Sequence, residues 1–178
     1  MLYLIIGTKR CSGCCRQLNN ELIIMLLNIG LVIGTFIVME FVAWFTHKYV
    51  MHGFLWVLHK DHHVHEEGFF EKNDSFFLLF AIPSLLLCLF GSMNGMDFRF
   101  WIGIGILLYG IAYFLVHDVF IHQRFKILRK TDSVYFRALR KAHKVHHKHL
   151  VAENGECFGM LMVPFKYFKE ASRIVRNR

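Results

Sequence analysis

Long apolar runs separated by short polar stretches dominate the hydrophobic pattern of this chain. The runs occupy residues 21–45, 76–95 and 100–116. Each is long enough for a helix to cross the hydrocarbon core of a bilayer, which is about 30 Å thick, and each is apolar around the whole helix, unlike the one-sided helices of soluble bundles. A fourth crossing or a re-entrant piece within residues 41–58 is also compatible with the pattern. The sequence therefore predicts an all-α, multi-pass membrane helical bundle with three or four spans.

The composition also disfavours a water-soluble globule. Hydrophobic residues make up 55% of the 178 residues, charged residues make up 19%, and the mean hydropathy is +0.39. The first run is not typical of a cleaved signal peptide, because the polar stretch TKRCSGCCRQLNN precedes it and no small-residue cleavage site follows it. That stretch carries Cys11, Cys14 and Cys15, a spacing that can bind a metal, be acylated or form a disulfide. No second cysteine pair lies in register with it.

Positive charge predicts the orientation of the chain in the membrane. Of the 21 lysines and arginines, 14 follow the last apolar run, so the positive-inside rule places residues 117–178 in the cytoplasm. The short connection between the second and third runs carries only Asp97 and Arg99, as expected of a transmembrane hairpin. Residues 47–75 then face the same compartment. The net charge of +8 is better explained by this orientation and by contact with anionic lipid, or with an acidic redox partner, than by nucleic acid.

Ten of the twelve histidines form one composite pattern that occurs twice. Each copy consists of HxxxxH followed by HxxHH, and each lies next to an apolar run on the same predicted side of the membrane. The first copy, in a region over residues 47–65, contains His47, His52, His59, His62 and His63. The second copy, in a region over residues 117–149, contains His117, His122, His143, His146 and His147. A repeated pattern of this kind favours metal binding over inert surface histidines.

The spacing within each motif constrains how the imidazoles can meet. On an α-helix the three histidines of HxxHH lie on one face, about 5–6 Å apart at Cβ, and can converge on one metal or on two adjacent metals. The two histidines of HxxxxH are roughly 140° apart around an α-helix, so they cannot share a face without distortion. Either the pair straddles the site from a helix that passes beside it, or one member reaches a different metal.

The number of imidazoles and their position narrow the chemistry. Ten candidate ligands exceed the four of a tetrahedral zinc site, which argues for two metals, although imidazole suits iron, copper, zinc and nickel alike. A polar cluster that caps an apolar bundle is placed to act on a lipid-soluble molecule. A hydrocarbon offers no group for a redox-silent metal to polarise, so attack on its C–H bonds calls for oxygen chemistry at iron or copper.

The order of these motifs resembles that of the histidine-rich, non-haem di-iron β-carotene hydroxylases of the bacterial type, within the fatty acid hydroxylase and sterol desaturase superfamily. The resemblance covers roughly residues 25–165 and includes the stretches THKYVMHG, LHKDHH and VHDVFIHQR. Residues 1–20 fall outside it and look like an N-terminal extension. Residues 21–178 are then expected to form a single integral-membrane hydroxylase domain.

The resemblance implies a ligand set, an activity and partners. All ten histidines of the two copies would ligate two iron ions, and O2 would be the co-substrate. The family adds a hydroxyl group at C3 of a β-ionone ring and converts β-carotene through β-cryptoxanthin to zeaxanthin. Its electrons come from a ferredoxin-type donor.

Several further residues are candidates for roles beside the metals. Asp61 and Asp118 lie next to ligand candidates and are expected either to orient a ring nitrogen or to be solvated. His65 and His149 stand in equivalent places of the two HKxHHxH stretches and are expected to support the ligands or to lie at the surface rather than to ligate. Glu40 interrupts an apolar run, where a carboxylate either faces a partner or marks the membrane interface.

Four phenylalanines flank the polar stretch between the first two runs and could line a channel for a polyene or serve as interfacial anchors. They are Phe69, Phe70, Phe76 and Phe77.

Two other functions compete with the carotenoid assignment. One is a sterol or fatty acyl hydroxylase or desaturase of the same superfamily. The other is a non-catalytic membrane metal-binding protein, such as a transporter, but transport would need polar ligands near the middle of the spans. Apart from Glu40, the three runs lack them.

Overall fold

The computed structural model describes residues 11–64, 68–125, 127, 130–149 and 155–177, and for residues 11–14 it describes the backbone alone. The side chains of Cys11 and Cys14, and all of His65, therefore lie outside the described residues. Cys15 is exposed.

Helices account for all the regular secondary structure in the described part of the chain, as the sequence predicts. The α-helices are α1 (Cys11–Phe45), α2 (Trp56–His63), α3 (Phe76–Met93), α4 (Phe98–Phe114), α5 (Val134–His146) and α6 (Phe165–Arg176). Two π-helical segments, Thr46–Phe54 and Leu115–Ile121, continue α1 and α4. A short 3₁₀ turn, Lys72–Ser75, precedes α3.

Three of the described segments are long and apolar enough to cross a membrane: Cys15–Phe54, Lys72–Met93 and Phe98–Ile121. These correspond to the three predicted runs, and no fourth candidate span appears in the ranges that the structure describes. Helix α1 begins inside the stretch that resembles an extension. At 35 residues it is about 50 Å long, so it exceeds the hydrocarbon thickness, and the side chains of residues 15–27 are exposed.

Helices α3 and α4 form the predicted hairpin. Asp97 caps α4, because its carboxylate accepts a hydrogen bond from the backbone N–H of Arg99 at 3.0 Å. The turn before it passes through Gly95 and Met96, both with positive φ. Along the hairpin the helices approach closely at Gly103, where an added Cβ would lie 2.6 Å from the sulfur of Cys88 on α3.

The topology brings the polar ends of the bundle together. Helices α1 and α4 pack against each other in parallel, so the π-helical segments that follow them emerge at the same end. Helices α2 and α5, which carry the two HxxHH motifs, lie at that end. Helix α6 packs on α5 through a small core of Ala138, Ala142, Tyr167 and Ala171.

Candidate metal centre

A π-helical segment runs through each HxxxxH motif, which resolves the spacing problem posed by an α-helix. His47 and His52 belong to Thr46–Phe54. His117 belongs to Leu115–Ile121, and His122 follows directly, with its N–H donating to the carbonyl of His117 at 2.8 Å. This i→i+5 hydrogen bond widens the turn, so residues five apart come to lie on nearly the same face. The distortion that the two histidines need in order to share a face is therefore present in both copies.

The imidazoles form two groups whose ligand atoms lie within 4.8 Å of one another. The first histidine group consists of His47, His52, His59, His63 and His146. The second histidine group consists of His62, His122, His143 and His147. Each group takes side chains from both copies of the sequence pattern, so neither copy forms a site alone. His117 belongs to neither group, but its Nε2 lies 3.0 Å from Nε2 of His62.

Within each group the rings face one another through Nε2. In the first group, Nε2 of His59 lies 3.1 Å from Nε2 of His47 and 3.2 Å from Nε2 of His63. In the second group, Nε2 of His143 lies 2.8 Å from Nε2 of both His122 and His147. Two ligands that meet an ion at a right angle through bonds of about 2.1 Å would be about 3.0 Å apart. The spacing of the rings therefore suits a common ion in each group.

The other nitrogen of several rings, Nδ1, is fixed by an acceptor outside the cluster. His47 and His146 donate to the carbonyl oxygens of Phe158 (3.0 Å) and Glu156 (3.1 Å), respectively. His59 donates to Oδ1 of Asn73 at 2.7 Å. These bonds place the ring proton on Nδ1 and leave Nε2 with a free lone pair, the usual arrangement of a metal-bound histidine.

Carboxylates perform the same task beside the second group. His62 donates from Nδ1 to Glu71 at 2.8 Å, and His117 donates to Asp118 at 3.2 Å. Arg124 lies close to both carboxylates, 3.4 Å from Glu71 and 3.3 Å from Asp118. Its guanidinium also forms a two-pronged ion pair with Asp74, with bonds of 2.6 and 3.1 Å.

The protonation pattern shows that the site fits a cation. His47 and His59 both carry their proton on Nδ1, so the two Nε2 atoms 3.1 Å apart present lone pairs to each other. The same holds for His62 and His117, whose Nε2 atoms are 3.0 Å apart. Facing lone pairs repel unless a positive ion lies between them. A set of neutral imidazoles suits iron, copper, zinc or nickel, and the five of the first group exceed a tetrahedral set.

Burial favours the neutral form of the rings. It lowers the pKa of His59 and His63 to about 3 and that of His147 to about 4, and neighbouring imidazoles oppose a further charge. Burial, followed by the proximity of His117, also lowers the pKa of His62 and His143. At neutral pH these rings are therefore uncharged, which is the form in which imidazole binds a metal.

Aromatic side chains enclose the cluster. Phe158 packs edge-on against His47, His52 and His146, with ring centroids 5.1–5.5 Å apart. Trp56 packs against His52 at 5.2 Å. Together with the burial of the imidazoles, of which His146 and His59 are at most 1% exposed, these rings keep water away from the ligand atoms.

The remaining candidates from the sequence lie in different surroundings. Asp61 accepts a hydrogen bond from the backbone N–H of Lys72 at 2.5 Å, so it holds the segment that carries Glu71 and Asn73 rather than a ring nitrogen. His149 is half-buried and belongs to neither histidine group.

The phenylalanines and Glu40 also separate into distinct environments. Phe76 is buried with its ring edge-on to that of His59, at 6.3 Å. The other three, Phe69, Phe70 and Phe77, are exposed. Glu40 is buried on α1 and is not exposed at an interface.

Sequence reasoning missed the acceptors that orient the rings. Asn73 and Glu71 stand in the polar stretch EKND between the first two spans, where their density of hydrogen-bonding groups could have signalled a role. Arg124 ends the HQR stretch but carried no assigned function. The carbonyl oxygens of Glu156 and Phe158 have no signature in the sequence.

Comparison with known proteins gives consistent matches. The profile of the fatty acid hydroxylase family matches residues 32–166. A β-carotene hydroxylase of Pantoea ananas is 41% identical over 137 residues, which cover 77% of this chain and 78% of that protein. A β-carotene hydroxylase of Pseudescherichia vulneris is 39% identical over 137 residues, 77% of each protein. A chloroplastic β-carotene 3-hydroxylase of Arabidopsis thaliana is 37% identical over 78% of this chain and 44% of its own length. No solved structure matches the chain.

Proposed function

This chain belongs to the fatty acid hydroxylase family, and we propose that it is an integral-membrane β-carotene hydroxylase. It is similar to bacterial β-carotene hydroxylases along about three quarters of their length and its own. The observation that carries the proposal is the coincidence of this similarity with two buried histidine groups at one end of a bundle of apolar spans. A lipid-soluble substrate reaches such a site from the bilayer.

The reaction is the hydroxylation of a β-ionone ring at C3. β-Carotene is converted first to β-cryptoxanthin and then, at the second ring, to zeaxanthin. Some of the chloroplastic relatives are β-carotene 3-hydroxylases, which supports this position on the ring. O2 is the oxidant, and a ferredoxin-type protein supplies the electrons.

The two histidine groups would hold two iron ions, and these would supply the activation of O2 that an unactivated C–H bond requires. The ligands are the five histidines of the first group, the four of the second group, and His117 beside the second group. Asp118 orients His117 by accepting a hydrogen bond from its Nδ1, and Asp61 fixes the segment 71–73. His149 and His65 contribute at most to the surroundings of the ligands.

The protein's own part in the reaction is to orient the histidine rings and to exclude water. Five rings are held at a fixed angle by a hydrogen bond from Nδ1, so that Nε2 points inward without rearrangement: His47, His59, His62, His117 and His146. The low pKa of the buried rings keeps protons from competing for the ligand atoms. Trp56, Phe76 and Phe158 provide apolar walls, which suit a hydrocarbon ring and exclude water.

The His-rich end of the bundle and the C-terminus face the cytoplasm. The 14 lysines and arginines after the last span support this orientation, and the same positive charge attracts anionic lipid and an acidic electron donor. Residues 21–178 act as one membrane domain, with residues 1–20 as an extension outside the catalytic unit.

Expression in a bacterial host that accumulates β-carotene tests the function. Pigment extracts from cells that also contain a working ferredoxin and reductase should contain β-cryptoxanthin and zeaxanthin. His62→Ala should abolish both products and reduce bound iron. The matched control, His149→Ala, should leave both unchanged, because His149 lies outside both groups.

The same experiment separates the competing functions. Unchanged β-carotene, with iron bound and reductant present, would contradict the carotenoid assignment. Sterol or fatty acyl products would then indicate a sterol or fatty acyl hydroxylase or desaturase of the same superfamily. Tight metal binding without any oxidised lipid would indicate a metal-binding protein.

A further inference from the structure

Glu40 is a buried carboxylate with an unusually complete set of hydrogen bonds. It lies on α1, in the first span, and is only 7% exposed. Its Oε1 accepts from three successive backbone N–H groups, those of Met160 (2.9 Å), Leu161 (2.8 Å) and Met162 (2.9 Å). Its Oε2 accepts from the hydroxyl of Tyr109 on α4 at 2.7 Å. Successive amides that converge on one oxygen form an anion-binding nest.

The hydrogen bonds of the carboxylate indicate that it anchors a backbone segment. Both oxygens are occupied by protein donors, so neither is directed at the histidine groups. A carboxylate in an apolar span is costly unless its hydrogen bonds are satisfied, and here they are. The three amides belong to the irregular segment 155–163, which lacks the internal hydrogen bonds of a helix. Glu40 therefore ties this segment to α1.

The same segment carries the acceptors for two ligands of the first histidine group. The carbonyl of Phe158 faces Nδ1 of His47, and the carbonyl of Glu156 faces Nδ1 of His146. Gly159 stands between these carbonyls and the nest, where an added Cβ would lie 2.9 Å from Oε1 of Glu40. The backbone can approach the carboxylate this closely only because residue 159 has no side chain.

We propose that Glu40 is a positioning residue for the first metal, because it fixes segment 155–162 and thereby the orientation of His47 and His146. This inference rests on the proposed metal centre. It distinguishes the two sites, since His62 of the second group and His117 beside it are oriented by Glu71 and Asp118 instead. Loss of the Glu40 anchor should therefore release one metal and leave the other.

Three variants of the full chain, purified in detergent, test the proposal. Glu40→Leu removes both acceptor oxygens and puts an apolar side chain of similar size in their place. Glu40→Gln keeps an oxygen that can still accept from the amides. Tyr109→Phe removes only the bond to Oε2. Two quantities are measured for each: iron per chain, and hydrogen exchange of the amides of residues 160–162 in the metal-free protein.

Glu40→Leu should accelerate exchange at residues 160–162 by at least about tenfold, because hydrogen bonds to a charged acceptor are among the stronger ones. It should reduce bound iron from two to one per chain. Glu40→Gln and Tyr109→Phe should retain most of the protection and both irons. Exchange in α3 and α4 should stay at the wild-type rate in all three, which separates a positioning role from general unfolding.

Double variants identify the site that is lost. Glu40→Leu combined with His146→Ala should lose no more iron than His146→Ala alone, because both affect the first group. Combined with His122→Ala, it should lose all iron. Retention of two irons by Glu40→Leu, wild-type exchange at residues 160–162, or loss of both irons together would each overturn the proposal. If the wild type binds no metal, the proposed metal centre fails, while exchange in the metal-free protein still shows whether Glu40 anchors the segment.

Discussion

At the scale of single residues, the two nitrogens of each imidazole have separate tasks. Nε2 points into a histidine group, and Nδ1, where an acceptor holds it, fixes the ring from outside. The role of Nε2 can be predicted from the sequence, because ten histidines follow one repeated pattern. The role of Nδ1 cannot be predicted in this way. His47 finds its acceptor at Phe158, 111 residues away, and that acceptor is a backbone carbonyl that every residue possesses.

The depressed pKa values of the buried rings predict a pH dependence of stability for the metal-free protein. His59 and His63 titrate at about 3 and His147 at about 4 in the folded state, whereas an unfolded histidine titrates at about 6.5. The folded state therefore binds fewer protons, so stability is greatest above the unfolded pKa and is lost as pH falls through 6.5 towards 4 to 3.

Thermal unfolding of the metal-free protein in detergent measures this effect. The Tm at pH 5 should lie about 5 °C or more below that at pH 7.5, since several groups contribute. Metal-loaded protein should be more stable at both pH values, because the ion binds the same lone pairs and stabilises the folded state by mass action. An unchanged Tm of the metal-free protein between the two pH values would show that the rings are accessible to protons in the folded state.

At the scale of elements, the sequence indicated that the HxxxxH motifs do not fit a regular α-helix, but it did not predict the π-helical segments. Spacing alone showed that the two histidines of HxxxxH cannot share a face of an α-helix. It could not show whether the helix would distort or the pair would divide between sites. The structure contains the distortion in both copies, and yet the outcomes differ. His47 and His52 both join the first group, whereas only His122 of the second pair joins a group.

Arg124 contacts two carboxylates that orient histidines of the second site, and its loss should weaken metal binding there. Its guanidinium lies beside Glu71 and Asp118, which accept from His62 and His117. In Arg124→Gln the two carboxylates lose a shared cation and are free to move. We expect the affinity of one of the two metals to fall by about 10- to 100-fold, as is usual when a partner behind a ligand is removed.

The matched control for this prediction is Arg99→Gln. Arg99 also forms a close ion pair, with Asp97 at 2.6 Å, but in the turn between α3 and α4. Iron titration of the two variants should show weakened binding only for Arg124→Gln. Equal affinities would mean that Glu71 and Asp118 hold their positions without the guanidinium.

The packing of α1 against α4 depends on Gly105. A Cβ at this position would lie 2.6 Å from Cβ of Thr35 and 2.9 Å from the carbonyl oxygen of Val32, both on α1. Gly105→Ala should therefore push the helices apart and destabilise the protein by about 1–3 kcal/mol. Gly110→Ala is the control on the same helix, because no atom lies within 4 Å of its added Cβ.

Thermal unfolding in detergent compares the two alanine variants. Gly110→Ala should stay within about 0.5 kcal/mol of the wild type, while Gly105→Ala should unfold at a clearly lower temperature. Similar midpoints would indicate that α1 can shift relative to α4 at little cost. That outcome would also weaken the argument that the rigid pair of helices brings the two π-helical segments together.

At the scale of the whole molecule, most of the fold follows from the three apolar runs and one short connection. Runs of this length predict spanning helices, and a connection with only Asp97 and Arg99 predicts a hairpin. An even number of crossings between the two His-rich regions then returns them to one side, and the structure confirms that they meet at one end of the bundle. The division of ligands into two groups was beyond this reasoning, because it depends on ring orientations set by distant acceptors.

The orientation of the bundle is predicted by charge and is open to a direct test. In a background without the native cysteines, single cysteines can be placed at exposed positions by Val64→Cys, Met96→Cys and Asn177→Cys. Residues 64 and 177 lie on the His-rich side of the spans, and residue 96 lies in the turn at the other end. On intact cells, a membrane-impermeant thiol reagent should label only position 96. Labelling of 64 and 177 instead would invert the orientation but preserve the centre, since both His-rich regions would still share a side. Labelling of 64 without 177, or the reverse, would place them in different compartments, where the two copies of the histidine pattern could not contribute to common sites.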